Sequence, residues 1–264
     1  GGVGSITVEN DSVLDASEEL TVGRKGTGTL ILRNKGVAYV ENGSGTLTLA
    51  QDAGSTGTLV IGAPDGDAAV APGELQEVSD VAFGNGTGTI VFNHTGSPYS
   101  FLPVIKGSGT ISQLSGTTIL KGDSSAFTGT TNISGGTLQV DGKLGGSVKL
   151  SGGYLAGKGS INSLTATGGI IAPGGVGIID TLKVQGDATL DSGSTLAIDA
   201  ADDIVDKLEV GGKLTINNAT MSVTPIIAFV PGSYTVATAE GGISGKFGSV
   251  VLDGTGYKLA LDYA

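Results

Sequence analysis

A short phrase of the form Gly-x-Gly-Thr-Leu/Ile recurs along the chain and constrains its fold more than any other feature. Full or loosened copies occupy residues 26–30, 43–47, 55–59, 86–90, 107–111 and 134–138. After each copy, polar and apolar residues alternate for a few positions, which is the period of a half-buried β-strand. Glycine suits the corners between strands, where left-handed backbone conformations are needed. The recurrence predicts a repeat architecture of short strands.

The composition favours strands along the whole chain. Of 264 residues, 48 are glycine and 39% are hydrophobic, which is enough apolar material for a continuous core. The sequence has no sustained i, i+3, i+4, i+7 spacing, and the best helical candidate, 201–207, would make one or two turns at most. Alternating pairs such as Leu138/Val140, Leu182/Val184 and Leu214/Ile216 continue far along the chain. We therefore expect an all-β protein.

Two all-β architectures compete. A sandwich or barrel would use hairpins, for which Asn85-Gly86 and Asp141-Gly142 could supply two-residue turns. A parallel β-solenoid would combine short strands with loops of variable length, and the irregular spacing of the recurring phrase favours this solution. At roughly 22 residues per coil the chain would make about 12 coils, and ~4.8 Å between stacked strands would give a rod of roughly 60 Å.

Charge and cysteine content limit the partners. The formal net charge is −11, from 25 acidic and 14 basic residues. No basic stripe offsets phosphate charge, so we expect neither nucleic acid nor an anionic membrane as a partner. Cysteine is absent, which fits either a reducing compartment or passage of an unfolded chain through a narrow pore, and the sequence leaves both open.

Residues 84–162 carry a family resemblance, centred on SGTTILKGDSSAFTGTTNISGGTLQV at 115–140. This stretch resembles the autotransporter-associated β-strand repeat in the passengers of Gram-negative autotransporters (type V secretion). The segment ATGGIIAPGGVGIIDTLKVQGDATLDSGSTLAIDA, at 166–200, is similar to the C-terminal autochaperone region of such passengers. The resemblance implies a right-handed, single-stranded parallel β-helix over 1–165 and a C-terminal capping, autochaperone-like segment over 166–264.

The same resemblance implies a location and a role. We expect a surface-exposed or secreted passenger that crosses the outer membrane through its own β-barrel translocator, which this sequence does not contain. The chain would act as an adhesin stalk and folding nucleus, and a host cell-surface or matrix component would be its partner. Self-association between cells is the alternative role. A β-helix enzyme acting on carbohydrate is a further alternative, which three or more acidic or basic residues clustered in a concave groove would favour.

Residues for capping the solenoid come from the C-terminal part. The last coil of a solenoid would expose an apolar end, and aromatic rings cover such an end with few residues. Together with the Pro-Gly pair of the autochaperone-like phrase, the expected folding and capping residues are Pro173, Gly174, Phe229, Tyr234, Phe247 and Tyr257.

Several motifs approach known sites without completing them. The stretch Gly152-x-x-x-x-Gly157-Lys158 lacks the Ser or Thr that follows the lysine of a P-loop. The stretch from Gly174 to Asp180 partly matches a Ca²⁺-binding nonapeptide, but its Asp comes one position late. The acidic group Asp199, Asp202, Asp203 and Asp206 is best explained as a solvated loop. His94, the only histidine, lies in a turn-forming string. We expect no catalytic residues, metal ligands or cofactor.

Overall fold

The described part of the chain is built from β-strands. The computed structural model describes residues 1–16, 19–40, 45–96, 98–252 and 260–263, apart from the side chains of 228 and 229. Within these ranges there is no helix, and so none long and apolar enough to span a membrane. The strands are β1 (Val3–Val8), β2 (Val13–Ala16), β3 (Leu20–Val22), β4 (Thr27–Leu32), β5 (Val37–Val40), β6 (Gly45–Leu49), β7 (Thr56–Gly62), β8 (Glu74–Gln76), β9 (Val78–Phe83), β10 (Thr87–Asn93), β11 (Tyr99–Phe101), β12 (Val104–Lys106), β13 (Thr110–Ser115), β14 (Thr117–Leu120), β15 (Asp123–Ser124), β16 (Thr130–Ile133), β17 (Thr137–Val140), β18 (Lys143–Leu150), β19 (Tyr154–Gly157), β20 (Ser160–Ala166), β21 (Gly169–Pro173), β22 (Thr181–Val184), β23 (Ala188–Asp191), β24 (Ser194–Asp202), β25 (Ile204–Val205), β26 (Lys207–Val210), β27 (Leu214–Asn217), β28 (Thr220–Phe229), β29 (Ala237–Ala239), β30 (Ile243–Lys246) and β31 (Ser249–Leu252).

These strands wind into a parallel β-helix with three faces, each coil running from the first face to the third. The first face stacks β1, β4, β7, β10, β13, β16, β18, β20, β23, β27 and β30. The second face stacks β2, β5 and β8, and then β11, β14, β17, β19, β21, β24, β28 and β31. The third face stacks β3, β6, β9 and β12, and continues through β15, the first residues of β18 and β20, and β22, β26 and β29.

The predicted all-β parallel solenoid is therefore confirmed. The first face has eleven stacked strands among the described residues, close to the 12 coils expected. Ten steps of ~4.8 Å make a stack of roughly 50 Å. The antiparallel strand pair of the described residues is β24 with β25, a short hairpin at Ala200–Val205 and Ala201–Ile204. The Asp141-Gly142 turn, which a sandwich would use for a hairpin, instead joins two faces of one coil.

The recurring phrase sets the register of the first face. Gly28 pairs with Gly57 and Gly57 with Gly88, so the copies in β4, β7 and β10 lie directly above one another. A Cβ on Gly57 would overlap the carbonyl oxygen of Val22, so this corner requires glycine. Residues 45–47 of the second copy lie in β6 on the third face, and the copy at 134–138 leads into β17 on the second. The phrase thus specifies a corner followed by a strand, on any face.

Inward side chains form largely apolar columns, which Gln113 and Thr131 interrupt on the first face. On the first face, Leu30, Leu59, Ile90 and Ile111 are stacked and at most 1% exposed. On the second face, Leu138 is stacked on Leu155, and both are fully buried. Burial of such columns, at ~25 cal/mol per Å² of apolar surface, is the main favourable term that holds the coils together.

Coil length varies although the faces stay in register. Val148 pairs with Leu164, 16 residues later, whereas Thr56 pairs with Thr87, 31 residues later. The extra residues lie at the corners, where a loop can grow without disturbing the strand ladders. The expected boundary between 165 and 166 falls inside β20, and the stacking continues through it.

Candidate functional site

The second corner, which joins the second face to the third, is very short in the middle of the solenoid. In three successive coils it consists of Lys121-Gly122, Asp141-Gly142 and Lys158-Gly159. The flanking strands hold these corners in register, because β14 pairs with β17 and β17 with β19. Three charged residues therefore form one column, with three glycines beside them.

The glycine column makes a floor of bare backbone. The carbonyl oxygen of Gly122 accepts a hydrogen bond from the Lys143 amide at 3.1 Å, and that of Gly142 accepts one from Ser160 at 3.0 Å. A Cβ on Gly142 would overlap the Gly122 carbonyl oxygen, and one on Gly159 would overlap that of Gly142. The close approach of the coils thus excludes side chains from this column, which leaves a hollow between its neighbours.

A second column of polar side chains flanks the floor on the third face. Asp123 pairs with Lys143, Lys143 with Ser160, and Ser160 with Lys183. The Lys143 Nζ lies 2.7 Å from Asp123 Oδ2, and the Lys183 Nζ lies 3.4 Å from Glu209 Oε2. Hydrogen bonds from Lys143 and then Ser125 lower the pKa of Asp123 to about 2, so this exposed carboxylate stays ionised at neutral pH.

The other column is only partly paired. The Asp141 carboxylate accepts hydrogen bonds from Gln139 Nε2 at 3.1 and 3.0 Å. Lys121 and Lys158 are exposed, and neither takes part in an ion pair of the described residues. Two ammonium groups are therefore open to an external anion.

The hollow between the columns is a groove that crosses four coils. Its charged part has a volume of about 420 Å³ and adjoins a second hollow of about 520 Å³, with Lys143, Ser160 and Gln185 lining both. We call the whole the lysine groove; its polar lining includes Lys121, Lys143, Lys158, Lys183, Asn162 and Gln185. Phe127, Leu144 and Ile161 lie beneath it and are nearly fully buried.

The lysine groove suits binding better than proton transfer. Ammonium groups bind anions, and amides and hydroxyls exchange hydrogen bonds with neutral polar groups. The low pKa of Asp123 does not suit a general acid at neutral pH. The clustering of basic residues that would favour a carbohydrate-active enzyme is present, but Asp123 supplies no proton for glycoside cleavage.

The second corner becomes long in the C-terminal coils and forms what we call the lobe. It consists of loop 174–180, the β24–β25 hairpin and the end of β28 with 230. The Gly177 amide donates to Asp199 Oδ2 at 2.6 Å, and the Val230 amide donates to the Asp202 carbonyl oxygen at 2.8 Å. Large aliphatic side chains that are 41–79% exposed cover the lobe: Val176, Ile178, Ile204, Ile226, Ile227 and Val230.

A buried carboxylate lies at the base of the lobe. Asp206 is 1% exposed, and its two oxygens accept the amides of Asp180 at 2.8 Å and Asp199 at 2.9 Å. Burial raises the pKa of Asp206 to about 7, the nearby carboxylates of Asp199 and Asp180 add to the shift, and the two amides oppose it. The prediction that this acidic group lies in a solvated loop was wrong for Asp206, which is buried and accepts amides from two other segments. Asp202 and Asp203 are exposed.

The expected capping residues occupy separate places. Pro173 and Gly174 are buried at the end of β21, where Gly174 has φ +75° and begins the lobe. Phe247 is half-buried and packs against the core at the last coil, and its amide donates to the Tyr263 hydroxyl at 3.0 Å. Tyr234 donates its hydroxyl hydrogen to the Val230 carbonyl oxygen at 2.6 Å. The Phe229 side chain and Tyr257 lie outside the described residues.

The near-miss motifs form corners of the solenoid. Gly157 has φ +113° at the end of β19, so the Gly152–Lys158 stretch is a strand and its turn. The stretch from Gly174 to Asp180 is the first loop of the lobe. Among the described residues, no group of three or more His, Cys, Asp or Glu side chains is placed to hold a metal ion.

His94 is an interior residue. It is fully buried, its Nε2 lies 3.0 Å from Thr118 Oγ1, and its ring is 5.7 Å from that of Tyr99. Burial lowers the pKa of His94, which keeps the ring neutral. Its Nδ1 has no hydrogen-bond partner within the described part of the chain. Because His94 has no contact with solvent, it is unsuited to a hydrolytic role.

Sequence reasoning missed the lysine groove, although a signal was present. The tripeptides Lys121-Gly122-Asp123, Asp141-Gly142-Lys143 and Lys158-Gly159-Ser160 share a central glycine flanked by polar residues. Their separations are those of the short coils, so aligning the coils would have superimposed them. Only the stacking order shows that four lysines meet there.

Comparisons with known proteins point to bacterial exported proteins. No protein-family model matches the chain. It is 41% identical over 92 residues (35% of the chain) to a protein named "Uncharacterized lipoprotein YdeK" of Escherichia coli (strain K12), of which it covers 7%. It is 34% identical over 109 residues (39% of the chain) to "Adhesin BmaC autotransporter" of Brucella suis biovar 1 (strain 1330), of which it covers 3%.

A third relative extends over more of the chain. The "Extracellular serine protease" of Serratia marcescens is 28% identical over 173 residues, which is 60% of this chain and 16% of that protein. The chain thus spans less than a fifth of the length of each of these relatives. It is distantly similar to proteins described as extracellular or as an autotransporter, which supports an autotransporter-related role and export from the cell.

Proposed function

We propose that this chain is part of an autotransporter passenger and forms a rigid stalk segment of an adhesin on the bacterial surface. The observation that carries the proposal is the first face, on which eleven strands stack without a break beside a largely apolar core, which makes a stiff rod from a single chain. The similarity to an autotransporter adhesin and to an extracellular protease supports the location. A host surface or matrix component would be the partner of the whole protein, and its own outer-membrane barrel would be the export route.

We further propose that residues 166–264 nucleate folding during export and cap the stack. Apolar burial at ~25 cal/mol per Å² would drive coil-by-coil folding without ATP. The half-buried Phe247 against the last coil and the hydrogen-bonded Tyr234 support a capping role. Pro173 and Gly174, which end a strand and start the lobe, would fix the first corner of this segment.

Truncation tests this folding role. We expect a chain without residues 167–264, which keeps β20 whole, to refold more slowly after dilution from urea and to be cleaved faster by proteinase K. Removing residues 1–55 is the matched control, because it deletes two coils from the opposite end and should leave the refolding rate almost unchanged. Equal refolding rates for the two truncated chains would refute the nucleation role.

A second function, self-association, is favoured by the lobe. Its six exposed aliphatic side chains form a surface of the kind that mediates contacts between proteins. We expect concentration-dependent dimers in sedimentation velocity, and an Ile204→Ser/Ile227→Ser variant to remain monomeric. Val3→Ser, an exposed valine in β1, is the control. A monomeric wild-type chain at high concentration would contradict this function.

A further inference from the structure

The lysine groove is a basic site on an acidic protein. The chain carries 14 basic and 25 acidic residues, yet the charged part of the groove is lined by four lysines and two aspartates. A local excess of positive charge attracts an anion to the groove, and the acidic surface around it repels the anion. The lining is therefore selective by position as well as by charge.

The lysines follow a regular spacing along the solenoid axis. Lys121 and Lys158 lie two coils apart in one column, with Asp141 between them. Lys143 and Lys183 lie two coils apart in the other column, with Ser160 between them. With ~4.8 Å per coil, like charges recur about every 10 Å along both walls. Along either wall, a ligand that follows the axis would meet an ammonium group at every second coil.

The groups between the lysines favour a hydroxyl-rich ligand. Ser160, Asn162 and Gln185 offer hydroxyl and amide groups, and Asp141 and Asp123 can accept hydrogen bonds from hydroxyls. The floor is glycine backbone whose carbonyl oxygens already bond the next coil, so it offers a flat surface. A pyranose unit in a chain is about as long as the rise of one coil, so successive sugars would match successive coils.

We propose that the lysine groove binds a linear polysaccharide that carries a carboxylate or sulfate on alternate sugars and lies along the solenoid axis. Lys121 and Lys158, which form no ion pair among the residues that the structure describes, would bind successive acidic groups. Lys143 and Lys183 would contribute less, since Asp123 and Glu209 already neutralise part of their charge. This inference names a ligand class for the adhesive role proposed above and rests on that role only for its biological meaning.

Binding of defined oligosaccharides to the full chain tests the proposal. Hexasaccharides of hyaluronan, which carry only carboxylates, and of chondroitin sulfate, which also carry sulfates, are titrated by NMR, with cellohexaose as the neutral probe. We expect either anionic probe to shift the amides of Gly122, Gly142 and Gly159, and cellohexaose to leave them unchanged. Stronger binding of chondroitin sulfate than of hyaluronan would show that sulfates add to the affinity of the carboxylates.

Matched lysine variants locate the site. A Lys121→Gln/Lys158→Gln chain should bind the anionic hexasaccharide about five-fold more weakly, the size expected for two exposed, screened charges. Lys149→Gln is the control, because Lys149 is also exposed but lies on the first face, in β18. The affinity of this variant for the hexasaccharide should change less than two-fold. Circular dichroism verifies that each variant is folded.

Three results would overturn the proposal. They are absence of binding by either anionic hexasaccharide, equal weakening by the Lys149 variant, and equally strong binding of a single-stranded DNA dodecamer at the same glycines. The stalk and folding roles would survive all of them, since refolding of the truncated chains measures those roles without a ligand. Conversely, equal refolding rates would leave the hexasaccharide affinities unaffected.

Discussion

The same corner of the solenoid is built in two opposite ways. In the middle coils the second corner is two residues long and its glycines bring the coils together, which leaves the lysine groove. From Gly174 onward the corner lengthens into loop 174–180, a hairpin and an extended β28, and it projects as the lobe. The inward columns continue unchanged beneath both, as Leu155 stacks on Ile171 and Ile171 on Leu196.

This difference shows that the inward columns hold the fold together, whereas the second corner varies from coil to coil. The groove is polar, with an excess of lysine, whereas the lobe is covered by exposed aliphatic side chains. Corner length and the presence of glycine together decide whether a coil presents a hollow or a projection. A β-helix can therefore change its surface at one corner without altering its ladders.

The largest expected effect comes from the shared core. Leu155→Ala and Leu196→Ala remove fully buried side chains from the second face below the groove and the lobe, and each should destabilise the chain by about 3 kcal/mol. Ile204→Ala, on the surface of the lobe, should change stability by less than ~0.5 kcal/mol. Urea unfolding followed by circular dichroism measures all three. Markedly different costs at Leu155 and Leu196 would show that the columns are not equivalent.

A glycine substitution should distinguish the groove from the loop that follows the lobe. Gly142→Ala places a Cβ against backbone oxygen of the neighbouring coil and should cost about 2 kcal/mol, because backbone must move. Gly232→Ala, in the loop after β28, meets only the flexible ring of Tyr234 and should be nearly neutral. The same urea experiment compares them. Similar stabilities would mean that the middle corners tolerate side chains and that the bare floor is not obligatory.

The sequence predicted the strands because their cause is local. Two-residue alternation and flanking glycines identify inward residues such as Leu138 and Val140 without knowledge of their neighbours. The parallel stacking also followed, since irregular loops with a constant strand phrase suit a solenoid better than a sandwich. The predicted number of coils was close to the observed number because the average spacing of the recurring phrase is close to the average length of a coil.

The sites were harder to predict because they depend on which coils are adjacent. Lys121 and Lys158 are 37 positions apart, and only the length of the intervening coils brings them to one groove. Asp206 resembled its neighbours Asp202 and Asp203 in sequence, yet it turns inward to accept two amides from other segments. Register between coils, rather than residue type, decides both outcomes.

The lobe should become less stable as the pH rises. The pKa of Asp206 is about 7 in the folded chain against an ordinary 3.8, so the folded state binds the proton more tightly. The contribution of Asp206 to the stability of the folded state is thus greatest below about pH 4 and is lost as the pH rises through 7. Amide exchange at Asp180 and Asp199 should accelerate between pH 5 and 8 beyond the intrinsic increase.

An Asp206→Asn variant separates this titration from other causes. It should flatten the dependence on pH, but it should also cost about 1–2 kcal/mol at pH 5, because the asparagine NH2 cannot accept the second amide. Asp203→Asn, on the exposed tip of the hairpin, is the control and should keep the wild-type profile. A wild-type profile in the Asp206 variant would assign the titration to another group.

The smallest effect is expected at the groove, with the opposite sign. Lys143 and Ser125 lower the pKa of Asp123 to about 2, below its ordinary 3.8, so the ionised form is favoured in the folded chain. Its stabilisation is present above about pH 4 and is lost as the pH falls through 2.

Carboxyl-carbon NMR titration of wild-type and Lys143→Gln chains measures the shift, with Lys149→Gln as control. The Lys143 variant should bring the pKa of Asp123 back toward 3.8, and 1 M salt should do so in part, because an exposed pair is screened. If the pKa of Asp123 were unchanged without Lys143, the hydrogen bonds of Ser125 would account for the shift. The two regions of the corner would then differ in burial alone, and not in the pairing of their carboxylates.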